Sequence, residues 1–133
     1  MREFHLQIVT PDGIQLDGNA TSLLIKCSEG DVEILASHTD LFASLAIGRA
    51  RIKTANGERL ASCAGGFISV LGGECKVVCT TFEFADTIDV ERARRAKERA
   101  EADIQNAKDN ETLECARLKL MRAINRINVA DLI

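Results

Sequence analysis

The stretch FHLQIVTPDG at residues 4–13 decides how the first half of the chain folds. Phe4, Leu6 and Ile8 alternate with polar residues, a period of two that is typical of a β-strand with one buried face. The Pro-Asp-Gly sequence that follows favours a tight turn, because proline presets φ and glycine tolerates positive φ. The stretch therefore predicts a strand, a turn and the start of a second strand.

The same alternation of strand and turn signals continues outward from this stretch. A short apolar run at Ser22–Cys27 precedes a Ser-Glu-Gly-Asp turn at residues 28–31. Asn56-Gly57 is a strong hairpin signal, and glycine pairs at 65–66 and 72–73 bracket a further short strand. Eight to ten strands at a spacing of roughly 8–12 residues indicate an antiparallel β-sandwich or barrel.

The end of the chain has a different composition. All nine glycines and the single proline precede Glu74. Residues 1–86 carry a net charge of −4, whereas residues 87–133 carry +1. Asp89 is a suitable N-cap for one helix, and Asp109 or Asn110 for a second that runs to about residue 128. We expect a β-domain at 1–86 and an antiparallel two-helix hairpin at 87–133.

Apolar residues recur along each predicted helix at steps of three, four and seven residues, which indicates one packing face per helix. On the first helix this face is made mostly of alanine, so the partner helix can approach closely. The predicted packing positions are Val90, Ala93, Ala96, Ala100 and Ala107 on the first helix, and Leu113, Ala116, Leu120, Ile124 and Ile127 on the second.

Composition excludes several classes of function. The 133 residues are 46% hydrophobic and 28% charged, which is ordinary for a folded soluble protein. A net charge of −3 and an aromatic content of 4% argue against nucleic-acid binding by bulk attraction or base stacking. The sequence has no apolar run of membrane-spanning length and no signal peptide, so we expect no direct membrane insertion.

Catalytic and metal-binding patterns are equally weak. The five cysteines are an odd number without a Cys-x-x-Cys pair, which predicts reduced and mostly buried thiols. His5 and His38 are far apart, and neither has a spaced carboxylate or cysteine beside it that would complete a metal site. Because no recognisable nucleophile motif is present either, we interpret the chain as a non-enzyme without a metal.

Arginines are regularly spaced in the helical part. Arg92, Arg95 and Arg99 follow one face of the first helix, and Arg122 and Arg126 are one turn apart on the second. One interpretation is a solvated face of ion pairs, such as Glu91 with Arg95 and Arg99 with Asp103. The other is a cradle for a polyphosphate, because guanidinium groups match phosphate oxygens.

Several motifs together identify a family. The chain carries IVTPDG at residues 8–13, SEGD at 28–31, AGGF at 64–67 and RAINR at 122–126. IDVERA at residues 88–93 looks like an Ile/Leu-Asp-x-x-Arg-Ala signature for ATP binding. Over essentially its whole length the sequence resembles the epsilon subunit of the bacterial F-type rotary ATP synthase, in its ATP-binding form.

The resemblance implies a β-sandwich of about ten strands followed by a helical hairpin. It implies a non-catalytic regulatory subunit of a proton- or sodium-translocating synthase, peripheral on the cytoplasmic face of the bacterial membrane. The sandwich would bind the gamma subunit and the c-ring. The hairpin would inhibit ATP hydrolysis when it extends into the alpha/beta catalytic head, and ATP would hold it folded without being hydrolysed and without a metal.

The resemblance also implies site residues. The ATP contacts would be Glu83, Asp89, Arg92, Arg99, Arg122 and Arg126, and the gamma or c-ring contacts would be Glu29, Gly30, Asp31 and His38. The loop around His38 departs from the family pattern Pro-Gly-His-x-Pro, since this chain has Ala-Ser-His-Thr-Asp at residues 36–40. We therefore expect this loop to be less rigid than in its relatives.

Two other functions compete with this interpretation. The chain could be a small β-sandwich adaptor or nucleic-acid-binding module, with its helical hairpin as a helix-turn-helix; a basic recognition face would support this. It could also be a small β-fold enzyme with a helical tail. A convergent, partly buried acid–base pair in a deep pocket would favour that alternative.

Overall fold

The computed structural model describes residues 2–132, which form two compact units that meet between Phe84 and Ala85. The first unit is a β-sheet and the second is a pair of helices, as the sequence predicts. The strands of the first unit are β1 (Phe4–Thr10), β2 (Gly13–Ala20), β3 (Ser22–Cys27), β4 (Gly30–Ile34), β5 (Leu41–Thr54), β6 (Gly57–Leu71) and β7 (Glu74–Phe84).

The described strands form a single sheet in the order β2-β1-β7-β6-β5-β3-β4. Neighbouring strands are antiparallel except for β1 and β7, which are parallel, with Leu6 opposite Cys75 and Ile8 opposite Val77. β2 approaches β5 although three strands separate them in the sheet. The sheet therefore folds over itself as a sandwich, and its inner face forms the core.

The residues described here contain seven strands, not the expected ten or so. The number of strands is lower than expected because some turn signals of the sequence lie inside long, continuous strands. β6 runs through Gly65 and Gly66, which adopt positive φ values of 69° and 102° without ending the strand. A Cβ built on Gly66 would lie 1.8 Å from the carbonyl oxygen of Val78 on β7. This glycine pair permits a close strand approach rather than a turn.

The core of the first unit is aliphatic and sulfur-rich. Leu6, Ile8, Leu23 and Ile68 are fully buried. Along β1, buried residues alternate with half-buried ones. All five cysteines lie in the described residues and carry free thiols, and all except Cys115 are buried. This arrangement matches the prediction of buried, reduced thiols.

The pKa is raised for the buried thiols of Cys63 and Cys75. The Sγ atoms of Cys63 and Cys79 lie 3.0 Å apart, and their hydrogen bond together with burial raises the pKa of Cys63. Burial raises the pKa of Cys75 to about 12. Because the thiolate is the reactive form, these cysteines are packing residues.

The second unit begins with a 3₁₀ turn at Ala85–Thr87 and continues as α1 (Val90–Asn106) and α2 (Asn110–Ala130). Asp89 is the N-cap of α1, as predicted, and Asp109 rather than Asn110 is the N-cap of α2. The backbone N–H of Thr112 donates to Asp109 at 2.7 Å and holds the pKa of that carboxyl below its usual value. Only three residues connect the helices, so they pack as an antiparallel pair.

Alanines at seven-residue steps are buried on both helices of the second unit. They are Ala93 and Ala100 on α1 and Ala116 and Ala123 on α2. The prediction for Ile124 was wrong, because this side chain is 37% exposed, next to buried Ala123. Among residues 2–132, no helix is both long and apolar enough to cross a membrane.

We expect Gly66→Ala to lower the free energy of unfolding of the β-unit by about 3 kcal/mol, because the new methyl meets the Val78 carbonyl and φ is positive. Urea unfolding followed by circular dichroism measures this change. Gly18→Ala is the matched control, since its Cβ would meet nothing within 4 Å. Equal stability of the two variants would contradict the close strand approach.

Candidate functional site: a cationic groove between the helices

A groove lies between α1 and α2 in the helical unit. Its volume is about 240 Å³, and both helices line it. We call it the cationic groove. The described residues that line it are Ala96, Arg99, Ala100, Asp103, Lys119, Arg122, Ala123 and Arg126.

Helical periodicity places these side chains together. Arg99 and Asp103 are one turn apart on α1, while Lys119, Arg122 and Arg126 follow one face of α2 at steps of three and four. The alanines are too short to fill the space between the helix axes. The result is a depression with small apolar side chains and a cationic rim.

The groove carries four cationic side chains and one carboxylate. In the described part of the chain, no ion pair involves Arg99, Lys119 or Arg122. The Nε atom of Arg122 is buried, and no hydrogen-bond acceptor for it exists within residues 2–132. A buried N–H without an acceptor is costly, so this geometry suits an anionic ligand with several oxygen atoms.

Two ion pairs on the helices lie away from the groove. Arg94 donates to Glu91 at 2.7 Å and Arg117 donates to Glu114 at 2.9 Å, and all four side chains are exposed. The predicted pairing of Glu91 with Arg95 was wrong, because Glu91 pairs with Arg94, three residues further along the helix. The solvated ion-pair interpretation therefore describes Arg94 and Arg117 rather than Arg99 and Arg122.

The groove contains three of the six residues predicted to contact ATP. Arg99, Arg122 and Arg126 line it. Asp89 is the N-cap of α1, where its Oδ1 accepts a hydrogen bond from the backbone N–H of Arg92 at 3.0 Å. The exposed side chain of Arg92 is not among the lining residues, and Glu83 is half-buried near the end of β7 in the first unit.

Lys119 and Asp103 line the groove although the sequence analysis did not select them as ligand contacts. Lys119 precedes Arg122 and Arg126 by three and seven residues. Its position on the arginine face was therefore detectable from spacing. It was missed because only arginines were counted as candidate phosphate contacts.

The predicted rotor contacts lie on the β-unit. Glu29 lies in the turn between β3 and β4, and Gly30 and Asp31 begin β4. All three line a depression of about 390 Å³ together with Leu41 and Phe42. His38 is not among the described residues lining this depression. Its Nδ1 lies 2.6 Å from the carbonyl oxygen of Thr39, which makes Nδ1 the donor.

Two long-range hydrogen bonds connect the loop around His38 to the rest of the β-unit. Ser37 has a φ of 67°, a conformation that favours glycine. Arg2 donates to its hydroxyl at 2.6 Å, and Asp40 accepts from the backbone N–H of Gly72 at 3.1 Å. These contacts join the loop to the start of the chain and to the β6–β7 turn.

An apolar surface adjoins the depression. Phe42 is 71% exposed, Leu71 is 68% exposed, and the rings of Phe42 and Phe67 lie 5.2 Å apart. Ser69 is paired with Phe42 and lies between Phe67 and Leu71 on the same face of β6. We call Phe42, Phe67 and Leu71 the phenylalanine patch. The sequence analysis did not identify it, because exposure cannot be read from an isolated aromatic residue.

The chain was compared with known families. Residues 3–85 match the model described as ATP synthase, Delta/Epsilon chain, beta-sandwich domain, and residues 86–131 match the model of the long alpha-helix domain of the same chain. The chain belongs to the ATP synthase delta/epsilon chain family. This finding confirms the family that the sequence motifs indicate.

Relatives of this family match over the full length of the chain. The ATP synthase epsilon chain of Halalkalibacterium halodurans is 40% identical over 98% of both chains. The corresponding chain of Pediococcus pentosaceus is 42% identical over 94% of this chain and 93% of its own.

A solved chain in a structure of the OSCP/F1/c-ring part of Euglena gracilis mitochondrial ATP synthase shares the fold. It has a TM-score of 0.82 and 22% identity, and the match covers 98% of this chain and 82% of that chain. The strand and helix arrangement described above is therefore also the fold of that solved chain.

In this member of the delta/epsilon family, we expect Asp89→Ala to destabilise the ligand-free helical unit by about 1 kcal/mol, because the first turn loses its N-cap. Asp89→Asn retains an acceptor and should keep most of that stability. Thermal unfolding of the helices by circular dichroism, without nucleotide, measures both. If alanine is tolerated as well as asparagine, the observed hydrogen bond to Arg92 does not stabilise the helix.

Proposed function

We propose that this chain is the epsilon subunit of the central stalk in a bacterial F-type ATP synthase. The observation that carries this proposal is the full-length similarity to relatives named ATP synthase epsilon chain, across both units. In this role the chain is a non-catalytic subunit, bound peripherally at the cytoplasmic face of the membrane by its protein partners. Coupling gamma to the c-ring is the function of its β-unit.

Two surface features of the β-unit support docking to rotor subunits. The phenylalanine patch exposes large apolar side chains side by side, and such patches are typical of protein interfaces. Phe42 also lines the depression beside Glu29 and Asp31, so an acidic rim borders the apolar surface. A partner with an apolar surface and flanking basic groups fits this arrangement, and we assign it to gamma and the c-ring.

The cationic groove is the proposed ATP site. Three guanidinium groups and an ammonium group face a space with an alanine-lined floor, and guanidinium groups bind phosphate oxygens in a forked geometry. Asp89 and Arg92 stay in the proposed ligand set, as contacts toward the base and the arginines, and the role of Glu83 stays a prediction from the family resemblance. ATP acts as a regulatory ligand and is not hydrolysed.

Ligand binding to both helices connects the groove to regulation. A ligand held by α1 and α2 together binds only the packed hairpin, so its binding free energy stabilises that state. When the hairpin opens, it extends along gamma into the alpha/beta head and blocks ATP hydrolysis. High ATP therefore favours the packed, non-inhibiting state, and low ATP releases the inhibitory one.

Phe42→Ser should weaken binding of the full chain to purified gamma by about tenfold, since truncation of a central aromatic residue commonly costs that much affinity. Surface plasmon resonance measures the dissociation constant. Ile14→Ser is the matched control, because Ile14 is 61% exposed on β2 and lies outside the phenylalanine patch. An equal loss in the control would mean that general hydrophobicity, rather than this patch, drives binding.

ATP at about a hundred times its dissociation constant should stabilise the full chain by roughly 2.7 kcal/mol, which raises the melting temperature of the helices by several degrees. Arg99→Ala and Arg122→Ala should remove most of that increase, because each loses a groove cation. Differential scanning calorimetry with and without ATP measures it.

Arg94→Ala and Arg117→Ala are the matched controls on α1 and α2, since both arginines form exposed ion pairs and neither lines the groove. Exposed pairs contribute little stability, so the controls should respond to ATP like the unmodified chain. No increase with ATP in the unmodified chain would reject the proposed nucleotide site. Equal losses in all four variants would indicate general charge attraction.

A further inference from the structure

One cation of the groove remains unassigned by the sequence motifs. Lys119 lines the cationic groove beside Arg122, and no ion pair within residues 2–132 occupies its ammonium group. Together with Arg122 and Arg126 it forms a row that extends about 10 Å along α2, at a rise of roughly 1.5 Å per residue. A row of this length offers a separate cation to successive anionic groups of one ligand.

The groove has two chemically different ends. Because the helices are antiparallel, Ala96 and Arg126 lie toward one end and Asp103 and Lys119 toward the other. Asp89 and Arg92 precede Ala96 on α1, so they lie beyond the first end. This inference rests on the proposed function, in which Asp89 and Arg92 bind the nucleoside of the nucleotide. The phosphate chain therefore points toward Lys119.

Asp103 makes the second end of the groove selective. A terminal phosphate that reaches this end meets the carboxylate of Asp103, and like charges repel. An ammonium group at the same place offsets that repulsion and donates up to three hydrogen bonds. The two side chains therefore have opposite effects on a ligand that extends far enough to reach them.

We propose that Lys119 binds the terminal phosphate of a nucleoside triphosphate, and that Lys119 and Asp103 together determine how strongly the groove prefers a triphosphate over a diphosphate. A diphosphate stops short of this end and is held by the arginines. The groove thus responds to the ratio of ATP to ADP, rather than to total adenine nucleotide.

Isothermal titration calorimetry of the full chain with ATP and with ADP, in buffer containing a chelator, tests this assignment. Lys119→Ala should weaken ATP binding by about tenfold, because a hydrogen bond to a charged group is lost, and should change ADP binding by less than about twofold. Lys119→Arg should restore most of the preference for ATP. Asp103→Asn should act in the opposite direction and tighten ATP binding more than ADP binding.

Arg117→Ala is the matched control, with the same loss of charge on the same helix outside the groove. If Lys119→Ala leaves ATP binding unchanged, or weakens ATP and ADP equally, the assignment of Lys119 is wrong while the ATP site itself stands. If the unmodified chain binds no ATP, both the assignment and the proposed site are wrong. The assignment is supported if Lys119→Ala weakens the binding of ATP only and Asp103→Asn strengthens it.

Discussion

Close packing of α1 on α2 through alanine side chains is the constraint on which the cationic groove depends. Ala93, Ala100, Ala116 and Ala123 are at most 3% exposed, so the two helix backbones can lie near each other. The same packing brings cations from both helices to one groove, where like charges repel. An anion in the groove offsets that repulsion. Packing of the hairpin and binding of a ligand are therefore thermodynamically linked.

Local chemistry allowed most of the fold to be predicted from the sequence. The β-to-α order, both aspartate N-caps and the Asn-Gly turn after β5 follow from spacing and turn propensities. The number of strands could not be predicted, because Gly65 and Gly66 produce a turn signal in the sequence, whereas Gly66 permits a close approach to Val78 within a continuous strand. That contact joins residues of different strands. It becomes visible only when the strand register is known.

The candidate site could be predicted only in part for a similar reason. Helical spacing places Arg122 and Arg126 on one face of α2, but which face of α1 they meet depends on how the helices pack. Lys119 and Asp103 enter the groove through that packing, whereas the carboxylate of Asp89 serves as a helix cap. On the β-unit, the turn at Glu29 was predicted, while the exposure of Phe42 and Leu71 depends on how the strands pack and could not be predicted from the sequence.

The assembled ATP synthase is the system in which nucleotide control of the hairpin can be measured most directly. Steady-state ATP hydrolysis should be recorded over a range of ATP concentrations, with the unmodified chain, Arg122→Ala or Arg117→Ala in the complex. If ATP in the groove holds the hairpin in its non-inhibiting state, Arg122→Ala extends inhibition to higher ATP concentrations and Arg117→Ala does not. If Arg122→Ala weakens ATP binding and the three hydrolysis curves still superimpose, the groove does not control the hairpin.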